Sequence, residues 1–163
     1  MKKDTQQLKS YKILLIGDSC EDVYSYGSID RKAFEDRPVG DGVSILNVSH
    51  VVEKPGMAKN VLKNLSALVQ NVDFITNSEI IRKSRFIDTR NNNKSILRVD
   101  YNDNVKPMML SRLLNIDTSV YDCIVISDYD KGFVSEQIAS TIVSDYKGKI
   151  FVDSKKKNLK KYE

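Results

Sequence analysis

The sequence predicts an α/β fold: a mostly parallel sheet flanked by helices, with a small β-lid added to it. Three observations carry this prediction. Four short apolar runs are continuous rather than alternating, as strands buried on both faces read. Stretches of helical periodicity lie between some of them. Two Val- and Ile-rich stretches with interleaved polar residues fall outside the plain alternation and read as lid strands.

Taken in order, Lys12-Ile-Leu-Leu-Ile-Gly17 is the first apolar run. Lid strands occupy about residues 23–54, with Val43, Ile45, Val48, Val51 and Val52 as their apolar members. Pro55-Gly56 opens a helix in which Ala58, Val61, Leu62, Leu65, Leu68 and Val69 recur at helical spacing. Val72-Asp-Phe-Ile-Thr76 is the second apolar run. Lys83-Ser-Arg-Phe-Ile-Asp88 and Ser95-Ile-Leu-Arg-Val-Asp100 flank Arg90-Asn-Asn-Asn93, which reads as a hairpin turn, so these strands also look like antiparallel additions. Pro107 starts a second helix with Met109, Leu110, Leu113 and Leu114. Cys123-Ile-Val-Ile-Ser127 is the third run; Ser135 caps a helix from Glu136 to about Asp145; Lys149-Ile-Phe-Val-Asp153 is the fourth run. Residues 1–163 are expected to form one domain, since the chain holds enough residues for one core and not two.

Composition excludes several classes. With 40% hydrophobic and 29% charged residues, 7 Gly and 3 Pro, the chain is neither disordered nor fibrous. No apolar run approaches the ~20 residues a membrane span needs, so no membrane partner is expected. The polar N-terminus lacks an apolar signal region, which makes the cytoplasm the expected location. Cys20 and Cys123 fit a reducing compartment, and His50, the single histidine, leaves no metal site to argue for. Seven lysines (Lys2, Lys3, Lys155, Lys156, Lys157, Lys160, Lys161) supply the net +4; without them 19 basic residues face 22 acidic ones. The excess reads as a tail and not as a phosphate-tracking face, so no nucleic-acid partner is expected.

Each apolar run ends on or near a polar residue: Asp18, Asn77, Asp128 and Asp153. Singly these are loop starters, but together they mark the carboxyl edge of a parallel sheet, where ligands bind. Gly17-Asp18-Ser19 resembles a hydrolase nucleophile block, yet the Asp-x-x-His pair it requires is missing. The long β-rich stretch argues against a receiver domain, and neither Gly-rich phosphate loop occurs.

Five motifs in order give the better match: Ile16-Gly-Asp-Ser-Cys-Glu-Asp22, Pro55-Gly-Met-Ala-Lys-Asn60 continuing to Leu65, Lys83-Ser-Arg-Phe86 with Leu97-Arg-Val-Asp100, Ile126-Ser-Asp-Tyr-Asp-Lys-Gly132, and Val152-Asp-Ser-Lys155. Together they resemble the N-terminal half of ribokinase-like carbohydrate kinases, in particular the heptose-7-phosphate kinase domain of ADP-heptose synthesis. The resemblance implies a ribokinase-like fold and a sugar or sugar phosphate as ligand. It implies Asp18, Asp22, Gly56 and Asn60 as substrate-binding residues at sugar hydroxyls, Arg98 and Lys131 as basic groups for a sugar phosphate, and Asp128 beside them. It also implies a homodimer paired through the β-lid.

The departures are as specific. Met57 stands where the family has its second glycine and Lys59 where it has a small residue, and an edge βα unit between Asn77 and Lys83 is shortened away. The family's nucleotide half and its Gly-Ala-Gly-Asp base are not among these 163 residues. No catalytic residue is therefore assigned, no cofactor is expected on this chain alone, and ATP and Mg enter only as properties of the family. Two functions stay open: a sugar kinase whose nucleotide half lies elsewhere, and a degenerate pseudokinase that binds a sugar phosphate or a protein.

Overall fold

The computed structural model describes residues 9–33 and 42–162. Part of the expected lid, residues 34–41, lies outside them. Eight strands form two four-stranded sheets. The first contains β1 (Lys9–Gly17), β4 (Val69–Thr76), β7 (Cys123–Asp128) and β8 (Lys149–Ser154) in the order β4-β1-β7-β8, every pair parallel. These are the four apolar runs. The second contains β2 (Ser19–Ala33), β3 (Val43–Met57), β5 (Ile81–Asp88) and β6 (Lys94–Tyr101) in the order β3-β2-β5-β6.

Leu14, Ile16, Ile124 and Ile126 of the parallel sheet form the main core with Ile138, Ala139 and Ile142 of α3 (Glu136–Asp145) and Leu113 of α2 (Leu110–Leu114). The Ser135 hydroxyl accepts the Ile138 N–H and starts α3 where expected. Helix α1 (Ala58–Ser66) packs on β1 and β4. It stops earlier than its apolar spacing suggests, because the Ala67 and Leu68 amides turn back to Asn64 and Leu65, and Val69 is drawn into β4. Asn92 and Asn93 take the positive φ that the β5–β6 turn requires.

One pairing departs from the antiparallel expectation: β2 and β5 are parallel. The reason lies in the core, since β2 runs on from β1 and β5 follows β4, and those two are parallel neighbours. Both strands leave the same sheet edge in the same direction. The lid therefore begins at Ser19 and ends at Met57, wider than residues 23–54, and it also takes in β5 and β6. Among the described residues no helix is long and apolar enough to cross a membrane.

Candidate functional site

A cavity of about 390 Å³ lies where the carboxyl edge of the parallel sheet meets the lid. Cys20 and Asp22 of β2, Gly56 and Met57 at the end of β3, and Asn60 of α1 line one side. Lys83 and Arg85 of β5, Arg98 of β6, Tyr129 and Lys131 after β7, and Lys155 after β8 line the other. Strand periodicity explains the convergence. Asp22 pairs in register with Lys83, Lys83 with Asp100, and Arg85 with Arg98, which puts their side chains on one face of the lid.

The cations are ordered by carboxylates. Arg85 donates to Asp22 Oδ1 at 2.5 Å, and Arg98 grips Asp100 through Nε and Nη2, both at 2.7 Å. Lys83, only 6% exposed, donates to Asp100 Oδ2 at 3.1 Å and Asp103 Oδ1 at 2.8 Å, while Lys131 reaches Asp103 Oδ2 at 2.5 Å. Burial pushes the Lys83 ammonium down, but the two carboxylates outweigh it and leave its pKa raised. Lys155 stands 5.0 Å over the Tyr129 ring.

The Arg98 fork, aided by Lys83 and against the pull of desolvation, holds Asp100 down to about 2 from 3.8. A depressed carboxyl adds stability above its unfolded value and loses it as pH falls through the folded one. The melting-temperature gap between the wild type and Asp100→Asn is expected to be full at pH 6, to shrink below 3.8 and to vanish near pH 2. A gap independent of pH over that range would show that the fork does not stabilise the fold.

Of the sequence-predicted residues, Asp22, Gly56, Asn60, Arg98 and Lys131 come together on the cavity wall. Asp18 and Asp128 do not. Both are 0% exposed, so the expectation of two carboxylates open to a ligand is corrected by geometry. Asp18 Oδ2 accepts the backbone N–H groups of Tyr129 at 2.7 Å and Lys131 at 3.3 Å, and Oδ1 accepts that of Phe133 at 3.1 Å. It lies beneath the 129–133 loop and shapes it. Burial raises its pKa against the lowering effect of those three donors, with Asp128 adding to the rise. Asp128 accepts from Lys156 at 2.8 Å, Tyr162 Oη at 2.6 Å, Ser154 Oγ at 3.0 Å and the Asp130 N–H at 2.9 Å. Its own burial pushes its pKa up, but the Lys156, Tyr162 and Asp130 donors hold it below the ordinary carboxylate value.

Asn77, another strand-end residue, is also structural. Its Oδ1 accepts the Ser19 N–H at 2.8 Å and its Nδ2 donates to the Glu79 carbonyl at 2.6 Å, which fastens β4 to the start of the lid. Two lysines read as tail turn inward instead, because β8 delivers its carboxyl end to the site. Lys155 lines the cavity, and Lys156 pairs with Asp128 and the Val134 carbonyl.

Sequence reasoning missed Lys83, Arg85, Tyr129 and Lys155 as lining residues. The alternation in Lys83-x-Arg85 and Arg98-x-Asp100 was the available signal. Met57, where the resembled family has glycine, takes φ +54 and ψ −132, a conformation that favours glycine, with its side chain buried beside Cys20, Ile81 and Tyr129. The donors facing the cavity are ammonium, guanidinium and amide groups, which suit an anion and not a metal ion. Among the described residues no group of three or more His, Cys, Asp or Glu gathers to hold a metal. One carboxylate, Asp22, already paired to Arg85 among five cationic side chains, does not fit the Mg that the family resemblance implies.

No family model matches the chain. Its sequence is similar to the bifunctional protein HldE of Nitratiruptor sp., 27% identical over 176 residues that make up 88% of this chain and 36% of that protein. It is likewise 30% identical to HldE of Sulfurimonas denitrificans over 190 residues, covering 95% of this chain and 39% of that one. Its fold is shared with phosphofructokinase-2 from Escherichia coli in its tetrameric inhibited form, with a TM-score of 0.52 at 12% identity over 93% of this chain and 57% of that one. The shared topology defines a ribokinase-like α/β fold. Within that class its sequence is related to HldE. The chain spans 36–39% of the length of these HldE proteins.

Proposed function

We propose that this chain forms the acceptor side of a carbohydrate kinase-like protein and binds a sugar phosphate in the cavity under the lid. The convergence of five cationic side chains on one cavity that also presents Asp22 and Asn60 carries the reading. A phosphate takes charge-assisted hydrogen bonds from Arg98, Lys131 and Lys155, whose remaining N–H groups are free to donate. Asp22 accepts sugar hydroxyls, and Asn60 both donates and accepts. Asp18 and Asp128 act as positioning residues, holding the 129–133 loop from beneath.

The lining offers no free base for a hydroxyl proton, because Asp22, its one carboxylate, is held by Arg85 at 2.5 Å. Residues 1–163 on their own therefore bind and do not transfer phosphate. Titration of sugar phosphates by calorimetry tests this, with Arg98→Ala expected to weaken binding about ten- to a hundredfold, as the loss of a hydrogen bond to a charged group does. Equal affinity of the variant, or sugar-dependent ADP release by residues 1–163 free of host kinases, would sink the reading. A second reading, a pseudokinase that has lost tight sugar binding, is favoured by the buried Met57 on the cavity wall. Free Cys20 and Cys123 support a reducing, cytoplasmic setting.

The lid also supports a homodimer. On the face away from the cavity, register aligns Val51 of β3, Ser25 of β2, Phe86 of β5 and Leu97 of β6 in one row, and Val23, Ser84 and Val99 in the next. Val48, Val51 and Leu97 are exposed there, an apolar face that a second copy would cover. Sedimentation at tens of micromolar is expected to show a dimer that Val51→Lys with Leu97→Lys converts to a monomer. A monomeric wild type would end this proposal.

A further inference from the structure

We propose that Asp103, held between a lysine of the lid and a lysine of the core, is a specificity-determining residue that sets how much anionic charge the cavity accepts. The inference rests on the sugar-phosphate reading and adds to it the residue that tunes the charge match.

Asp103 belongs to neither sheet. It lies in the connection between β6 and α2, with one carboxylate oxygen on Lys83 of β5 and the other on Lys131 of the loop after β7. Burial alone would push its carboxyl up; the two lysines outweigh that and hold it below the ordinary range, so it carries a full charge at neutral pH. The cavity has five cationic side chains, and Asp22, Asp100 and Asp103 are the carboxylates paired to them, which leaves two net positive charges. A phosphate monoester carries about −1.5 to −2 at neutral pH. The balance suits a single monoester. A ligand with a second phosphoryl group brings excess charge that meets the Asp103 carboxylate beside the two lysines.

Asp103 acts through those lysines without having to touch the ligand. Asn keeps its shape and one acceptor while removing the charge, and Glu keeps the charge on a longer arm. The side chain is 39% exposed, so neither change empties a core.

The experiment is calorimetric titration with inorganic phosphate and with pyrophosphate, at one ionic strength, of the wild type, Asp103→Asn and Asp103→Glu. The ratio of pyrophosphate to phosphate affinity is expected to rise about tenfold in Asp103→Asn, from one added unit of cavity charge acting on the extra charge of the ligand. Asp103→Glu is expected to keep the wild-type ratio. A merely structural role would lower both affinities together and leave the ratio in place. If Asp103→Asn does not fold, Asp100→Asn removes the same charge from Arg98 and Lys83 and is expected to shift the ratio in the same direction. Wild-type phosphate binding with an unchanged ratio in the variants overturns the Asp103 assignment alone. Absence of binding by any of these proteins, to these anions or to sugar phosphates, overturns the cavity reading and this inference with it.

Discussion

Asp18→Ala is expected to lower stability by about 3 kcal/mol or more, which for a chain of this size corresponds to a drop of roughly 6–12 °C in melting temperature. The substitution removes no apolar packing of consequence. It strips the acceptor from the N–H groups of Tyr129, Lys131 and Phe133 and leaves them to be satisfied by loop rearrangement or not at all. The loop has little freedom to respond. Asp130 and Gly132 both have positive φ, and a Cβ on Gly132 would come within 2.6 Å of the Val105 carbonyl oxygen. Because Tyr129 and Lys131 come from this loop, ligand affinity is expected to fall with stability.

Asp18→Asn, which keeps one acceptor oxygen, should lie between the wild type and alanine. The pH dependence separates the charge from the hydrogen bonds. A carboxyl whose pKa is raised by burial contributes most below its unfolded value of 3.8 and loses that contribution as pH rises through the folded one. The deficit of Asp18→Ala is therefore expected to be larger at pH 3.5 than at pH 7. Thermal melts in which Asp18→Ala stays within about 2 °C of the wild type would remove Asp18 from its place as organiser of the loop.

That Asp18 organises the site from below marks where the sequence was legible and where it was not. The four strands of the parallel sheet were readable because burial on both faces leaves continuous apolar runs such as Ile13 to Ile16 and Cys123 to Ile126. Ser135 announced α3 by its cap. The gathering of Asp22, Asn60, Arg98 and Lys131 on one cavity wall was readable too. Which strand-end polar residues face a ligand was not. Asp18, Asn77 and Asp128 have the composition of contact residues, and only three-dimensional placement shows their oxygens already engaged by Phe133, Ser19 and Lys156. The same limit hid Lys155 and Lys156, whose run of lysines reads as a solvated tail until β8 is seen to end on the site. Parallel pairing of β2 with β5 was hidden for a topological reason, since it follows from the neighbour relation of β1 and β4 and leaves no local mark.

Gly56→Ala is expected to separate the cavity from the fold in the opposite sense to Asp18→Ala. Gly56 lies opposite Cys20 in the β2–β3 ladder, and a Cβ there would stand 2.4 Å from Asp22 Oδ2 and 2.5 Å from Cys20 Sγ. Neither obstacle is backbone. Cys20 Sγ is packed in a buried cluster with Met57 and Ile81 and yields little. The strand pairing therefore survives at the cost of local overpacking, and the partly exposed Asp22 carboxylate is driven off its 2.5 Å contact with Arg85. Overpacking of this kind costs about 1–3 kcal/mol, roughly 2–12 °C of melting temperature by the same scaling. Ligand affinity carries a second loss, because Asp22 and Arg85 leave their places together and the added methyl group occupies the wall itself. A drop of ten- to a hundredfold in sugar-phosphate affinity is the expected calorimetric result, with the far-ultraviolet dichroism unchanged. Serine, nearly as small, should behave as alanine does. If Gly56→Ala binds sugar phosphates as the wild type does, the ligand does not approach the β2–β3 side of the cavity, and Asp22 and Asn60 lose their place as its hydroxyl partners.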